Sequence, residues 1–287
     1  MGAFFAGFQL ETVQVDGIHI RVRHGGNGPP VLLLHGHPRT HTTWHRVAPL
    51  LASDHTVVCP DLRGYGGSDA PATTPNHEPY SKRAMAADQR GLMHALGHER
   101  FAVVGHDRGA YVALRLALDH PDVVASLAVL DGVPISEHLA RCDARFARSW
   151  WHWFFLGQTE KPAERLIAAD PLAWYEPDRD LMGVENHDDL CRAIADPHTV
   201  HAMCEDYRAG LGVDLDHELT DRAAGRRVTC PTLVAWSTRD DLEDLYGDPL
   251  ELWRPWAGDL RGARVESGHH MAEEAADDLV DVLRRIL

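Results

Sequence analysis

The chain contains no apolar run approaching the about 20 residues that a membrane-spanning helix requires, so none is expected. Its first residues, from Met1 to Phe8, are apolar but lack a basic start and soon meet Glu11, which does not fit a secretory signal. Gly2 is not followed by the Ser or Thr that N-myristoylation needs. Cysteine is scarce. Cys59, Cys142, Cys191, Cys204 and Cys230 form no C-x-x-C pair and leave an odd number, as scattered reduced thiols do in a cytoplasmic protein. Positive charge is also short: 28 Lys and Arg against 43 Asp and Glu leave a formal net charge of −15. That balance argues against nucleic acid and anionic membranes as partners. The 20 histidines form no H-x-x-x-H pair with a third ligand, so no metal site is expected. Repeats and low-complexity tracts are absent. What is present, 44% hydrophobic and 25% charged residues over 287 positions, fits a soluble globular protein with a large core.

Extended stretches at residues 11–15 and 18–22 flank Asp16-Gly17 and predict an antiparallel hairpin. Residues 30–34 are a continuous apolar run, the mark of a strand buried on both faces of a mainly parallel sheet. Helices are expected at 43–51, 81–96 and 111–119, alternating with strands at 55–59, 101–105 and 125–130. This alternation predicts a doubly wound α/β sheet with helices on both faces. After Val133-Pro134 the pattern changes. Residues 135–226 carry helical stretches rich in Trp, Arg and acidic side chains with no buried strand, and the strand pattern resumes at 230–236. A helix at 249–256, a short strand at 263–266 and a final helix at 272–287 close the chain. The expected organisation is a core made of residues 1–134 and 227–287, with a helical cap, 135–226, inserted between its halves. Such a cap excludes water and supplies substrate contacts from above.

In Val103-Val104-Gly105-His106-Asp107-Arg108-Gly109-Ala110, an apolar strand runs into a small-x-nucleophile-x-small turn and then a helical pattern. This is the nucleophile elbow of an α/β-hydrolase fold, whose sharp turn lifts one side chain above the sheet. Gly105 and Gly109 are expected where the backbone packs too tightly for a side chain. The lifted residue is an aspartate where a serine hydrolase keeps its serine. A serine attacking saturated carbon forms an ether, which is a dead end. A carboxylate forms an ester, and water then hydrolyses that ester at the aspartate's own carbonyl. Asp107 therefore points to displacement at sp³ carbon, by carbon–halogen or epoxide C–O cleavage, before it points to ester hydrolysis. Taken alone, the motif also fits a glycine-flanked turn with a helix-capping aspartate.

Three segments supply partners. His35-Gly36-His37-Pro38 follows the strand at 30–34, in the loop that donates one backbone N–H to an oxyanion hole. The residue after the nucleophile donates the other, which makes His37 and Arg108 the expected donors. Ser267-Gly268-His269-His270 occupies the loop where the fold keeps its general base. His269, beside the glycine, is the candidate that deprotonates the water attacking the Asp107 ester. The base needs a carboxylate to fix its tautomer, and two places compete. Asp131 ends the strand at 125–130, while Asp240 or Asp241 follows the strand at 230–236. Asp131 is favoured, partly because Arg239-Asp240-Asp241 reads as a solvated charge cluster.

With these stretches go Trp44-His45-Arg46-Val47-Ala48-Pro49-Leu50, Cys59-Pro60-Asp61-Leu62-Arg63-Gly64-Tyr65-Gly66, Trp151-His152-Trp153-Phe154-Phe155 and Glu205-Asp206-Tyr207-Arg208-Ala209. Together they resemble the haloacetate and fluoroacetate dehalogenases of the α/β-hydrolase superfamily over nearly the whole chain. The resemblance implies Asp107 as nucleophile, Asp131 as acid and His269 as base, and a homodimer. It also implies a halide pocket of His152, Trp153 and Tyr207, whose imidazole, indole and phenol are donors suited to a departing halide.

One position departs from that family, which holds the substrate carboxylate between two arginines. Arg108 is present, but Tyr111 stands where the second arginine belongs. A phenol brings one hydrogen bond and no charge, and losing a charge-assisted contact costs about 1.5–3 kcal/mol of carboxylate binding. Arg39, near His37, is a candidate replacement. The expected function is hydrolytic dehalogenation of a 2-haloacid, with Arg108 and Tyr111 orienting a small-molecule substrate. The alternative is epoxide hydrolysis by the same Asp–His pair, with Tyr207 or Tyr175 protonating the alkoxide. A non-catalytic ligand receptor on the same scaffold is the third reading. Nucleophile, base and oxyanion donors are all protein groups, so no organic cofactor or metal is implied.

Overall fold

The computed structural model describes residues 4–287; Met1, Gly2 and Ala3, and with them the myristoylation position and the start of the segment weighed as a signal, lie outside the described residues. Strands β1 (Gln9–Val15) and β2 (Ile18–Gly26) form the expected hairpin, with Val15 opposite Ile18. Gly17 takes the positive φ of 87° that so short a turn requires. Six further strands complete the sheet: β3 (Pro30–Leu34), β4 (Thr56–Pro60), β5 (Phe101–His106), β6 (Val124–Leu130), β7 (Thr232–Ser237) and β8 (Leu260–Val265). Their order is β1-β2-β4-β3-β5-β6-β7-β8, antiparallel from β1 to β4 and parallel from β4 to β8. The sheet is doubly wound, as the alternating pattern predicts.

The apolar run of β3 is explained by burial on both faces. Leu32 and Leu34 pack into one core layer, Val31 and Leu33 into the other. The parallel registers then set where the chain ends meet. Leu34 pairs with Gly105, His106 with Leu130, Leu130 with Ala235 and Ser237 with Val265. The loops that follow β3, β5, β6, β7 and β8 therefore emerge side by side at the carboxyl edge of the sheet, where ligands of open α/β sheets bind.

Two helices expected to be continuous are broken. The stretch at 43–51 is a 3₁₀ turn, His41–His45, followed by a short helix, Ala48–Leu51. Pro49 sits in the first turn of the second piece, where its missing N–H is harmless; one continuous helix would set its ring against an earlier carbonyl. The last helix likewise divides into Met271–Glu274 and Ala276–Leu283, with Ala275 at φ −142° and ψ 50°, outside the helical region, between them.

Between β6 and β7, where every residue is described, the chain makes nine helices and no strand. The longest, Pro197–Leu211, is joined to the core through Asp206. That buried carboxylate accepts from Tyr65 Oη at 2.6 Å, from Arg108 Nε and Nη2 at 3.1 and 2.8 Å, and from Lys82 Nζ. Glu273, also buried, ties the insertion elsewhere: it accepts from both Arg39 and Asn186, the latter on the inserted helix Val184–Ile194. Removing one partner of such a buried ionic group costs about 3–5 kcal/mol, since the other charge stays buried and unpaired. Among the described residues no helix is long and apolar enough to cross a membrane.

Candidate active site

Asp107 stands where β5 stops and the helix Arg108–Asp119 begins, in a conformation (φ 51°, ψ −118°) that few side chains adopt. The neighbouring glycines make it possible. A Cβ on Gly105 would overlap the Gly109 carbonyl, and one on Gly36 would overlap the Asp107 carboxylate itself. Asp107 Oδ1 accepts from the His37 backbone N–H at 2.7 Å, and the adjoining Arg108 amide helps to hold the carboxylate ionised. Burial pushes its pKa up, but the facing His269 and His106 and the Arg108 amide outweigh burial and hold it below the ordinary carboxylate value. It is ionised at neutral pH, as a nucleophile must be.

His269 lies in the loop after β8. The loop is pinned by Glu274, which accepts from Gly268 N at 2.6 Å, and by His106 Nε2, which donates to the His269 carbonyl at 2.7 Å. His269 Nε2 is 3.9 Å from Asp107 Oδ2. Its Nδ1 meets two carboxylates: Asp240 Oδ2 at 2.8 Å and Asp131 Oδ2 at 3.5 Å. The reading of residues 239–241 as a solvated cluster therefore holds only for the exposed Arg239. Asp240 is the nearer partner. Asp131 is the more buried, fixed from below by Ser237, whose N–H and hydroxyl donate to its two oxygens at 2.9 and 2.8 Å. Burial pushes the His269 pKa down, but the bonds to Asp131 and Asp240 and the Asp107 charge raise it well above the ordinary histidine value.

A cavity of about 240 Å³ opens over this pair. His152 and Trp153, on the helix Trp151–Leu156, and Tyr207, on Pro197–Leu211, line it together with Asp107 and His269. Tyr207 lies edge-on to both rings, 6.0 Å from His152 and 6.3 Å from Trp153 between centroids. Burial brings His152 down to about 4 and His37 to about 3, so both are neutral at pH 7. Asp240 and Asp241, the alternative carboxylates of the sequence, also line the cavity, as does His270; Trp150 beside them carries no sequence signal that sets it apart from its aromatic neighbours.

The groups expected to hold a carboxylate are placed otherwise. Arg108 is fully buried under Tyr207, 4.2 Å from the ring, with Nε and Nη2 committed to Asp206; its Nη1 has no partner. Tyr111 approaches His138 Nε2 at 3.3 Å, and His138 Nδ1 bonds Tyr246 Oη at 2.6 Å. Neither Arg108 nor Tyr111 borders the cavity. Arg39 does not replace them: it is buried against Glu273 in two bonds of 2.9 and 3.0 Å. Tyr175 is also outside the cavity lining, its hydroxyl turned to Met203.

One trio of donor atoms, from His106, Asp131 and His269, falls within 4.8 Å, close enough for a metal. Each is already engaged: His106 with the His269 carbonyl, Asp131 with Ser237, His269 with Asp240. The donor set serves to hold the histidine.

The model of the alpha/beta hydrolase fold family matches residues 29–276. A fluoroacetate dehalogenase from Burkholderia sp is 43% identical over 99% of this chain and 95% of its own. A soluble epoxide hydrolase from Corynebacterium sp. (strain C12) is 31% identical over 93% of each. Among solved structures, an alpha/beta hydrolase from Nostoc sp PCC 7120 superposes with a TM-score of 0.95 at 41% identity, over 98% of both chains.

Proposed function

The chain belongs to the α/β-hydrolase fold family, in its fluoroacetate dehalogenase-like group, and on that premise we propose that it hydrolyses a carbon–halogen bond through an ester on Asp107. The substrate class is a 2-halocarbonyl compound of the haloacetate kind. The observation that carries this reading is the placement of Asp107: Oδ1 rests on the His37 N–H, Oδ2 faces His269, and the three halide donors share its cavity.

The reaction runs in two displacements. Asp107 Oδ2 attacks the carbon bearing the halogen, a C–O bond forms, and halide leaves with the bonding pair toward His152, Trp153 and Tyr207. Water then adds to the Asp107 ester carbonyl as His269 Nε2 takes its proton. The oxyanion forms on the carboxyl oxygen already seated on the His37 amide, with the Arg108 amide beside the carboxylate. Collapse breaks the bond between the Asp107 carbonyl carbon and Oδ2, the proton on His269 passes to the departing alkoxide to give the alcohol, and the carboxylic acid left on Asp107 ionises. The balance is halide plus one proton released for each water consumed.

The charges time the two halves. While Asp107 is ionised it helps keep the proton on His269. Alkylation removes that negative charge, so the His269 pKa falls once the ester exists, and the ring becomes a base when a base is required.

Epoxide hydrolysis is the second reading, supported by the epoxide hydrolase relatives and by Tyr207, the one phenol lining the cavity. The trap that separates the two is intact-protein mass of a His269→Ala variant. After chloroacetate or chloroacetamide it carries one substituted-methyl adduct that an Asp107→Asn companion lacks. An adduct from a small epoxide alone transfers the assignment to epoxide hydrolysis.

A further inference from the structure

Two helices of the insertion bring halide donors to the cavity, and they are tied to the core by different carboxylates. Tyr207 rides on Pro197–Leu211, which Asp206 joins to Tyr65 and Arg108. His152 and Trp153 ride on Trp151–Leu156, and the tie of that helix comes from the residue just before it. Trp150, at φ −112° and ψ 32°, stands where the helix Ala144–Ser149 stops and Trp151–Leu156 begins. Its carbonyl accepts from the Trp153 backbone N–H at 3.1 Å, and its ring lies 5.4 Å from the Trp153 ring between centroids. The indole N–H donates to Asp241 Oδ2 at 2.7 Å. Among the described residues this is the one side-chain hydrogen bond that joins residues 150–156 to the core. It is also the one hydrogen bond of the Asp241 carboxylate, whose Oδ1 has no partner. The loop beneath is fixed. The Thr238 N–H donates to the Val265 carbonyl at 2.9 Å, and the Arg239 N–H to the Ser267 carbonyl at 3.1 Å. Neighbouring residues of that loop thus face different partners, Asp240 the base and Asp241 the start of a donor helix.

We propose that Asp241 is a positioning residue for halide departure, acting through the Trp150 indole on His152 and Trp153. The inference rests on the aspartyl-ester reading above and adds a residue to its first step. Donors stabilise a departing anion best when they already stand where the charge will form. His152 and Trp153 lie in the first turn after Trp150, so whatever fixes the indole fixes where that turn starts. Asp241 touches neither His269 nor His37 by a hydrogen bond, and the two groups that serve ester hydrolysis keep their own partners. Asp240 and Asp241 therefore divide the work of one loop: the first holds the base, the second holds the donors for the leaving group.

The test reads displacement alone, as the second-order rate of adduct formation in the Asp107 peptide of a His269→Ala protein, with chloroacetate and with bromoacetate. In that background Asp241→Ala is expected to slow the chloroacetate reaction about tenfold, since a small misplacement of a contact group is enough for such a loss. The bromoacetate reaction should slow less, because bromide is the better leaving group and depends less on donors. Trp150→Phe should do the same, and the double variant should be no slower than the slower single, as expected of two residues that share one contact. Asp241→Asn removes the charge but keeps an acceptor for the indole, so it should stay within about threefold of the parent. If Asp241→Ala does not fold, Trp150→Phe set against Asp241→Asn makes the same comparison. Unchanged displacement, equal slowing with both halides, or losses that multiply in the double variant each overturn the inference and leave the aspartyl ester standing. No adduct in the parent protein with either compound removes that reading and the inference together.

Discussion

The two walls of the cavity are built by different means. The core wall, Asp107, His37, Asp240 and His269, with Asp131 behind it, hangs from strand ends whose registers are locked by backbone hydrogen bonds. The inserted wall, His152, Trp153 and Tyr207, hangs from helices that reach the core through side chains, chiefly Asp206 on Arg108, Tyr65 and Lys82. The core wall carries groups that must meet one reacting carbon at fixed geometry. In the proposed reaction the inserted wall carries the donors for the departing ion, so rigid placement would coincide with the chemistry at carbon and side-chain placement with the leaving group.

Breaking the tie between the walls has the largest expected effect. Asp206→Ala leaves Arg108 buried without its carboxylate and Lys82 with only Asp214 at 3.6 Å, and should lower stability by about 3–5 kcal/mol, read by urea titration. Because Arg108 and Tyr207 stack on each other, KM should rise in the same variant. A variant as stable as the wild type contradicts the view that Asp206 joins the insertion to the core.

Within the core wall, the two carboxylates on His269 separate by pH. Asp240→Asn removes one of the anions holding the His269 proton, so its raised pKa moves down. Ester hydrolysis needs the neutral ring, and the rate rises with pH through that pKa. The acid limb of the kcat profile should therefore shift to lower pH, while the plateau falls about 10- to 100-fold through the less fixed imidazole. Asp131→Asn should give the same direction of shift. If Asp240→Asn leaves the limb in place, Asp131 alone holds the base.

The smallest change belongs to the inserted wall. Tyr207→Phe removes one hydrogen bond to the leaving halide, about 1.5 kcal/mol or tenfold in rate. The loss should be greater for fluoride, the poorer leaving group, than for bromide. Equal losses for both halides would show that Tyr207 does not meet the departing ion.

The same contrast explains what can be read from the chain. The elbow was legible because Gly105 and Gly109 mark a backbone that admits no side chain, and because β3 and β5 are apolar on both faces. His37 and His269 followed from their places after strands. The weight of Asp240 is harder to see, because Arg239-Asp240-Asp241 has the composition of a surface cluster and its partner His269 lies 29 residues away. Arg39 and Arg108 lie outside the cavity lining for a related reason. Their partners, Glu273 and Asp206, lie 234 and 98 residues away, and no local pattern pairs them. The break at Pro49 belongs to the residue itself, whose ring no continuous helix over 43–51 accommodates.

The central claim is that Asp107 becomes covalently attached to the substrate carbon, and a single turnover in heavy-oxygen water tests it most directly. With enzyme in excess over chloroacetamide, the account predicts that the hydroxyl oxygen of the product comes from Asp107, unlabelled, and that one heavy oxygen remains in the peptide containing Asp107. Label appearing in the product on the first turnover, with none in that peptide, would mean that water attacks the carbon directly and would contradict it.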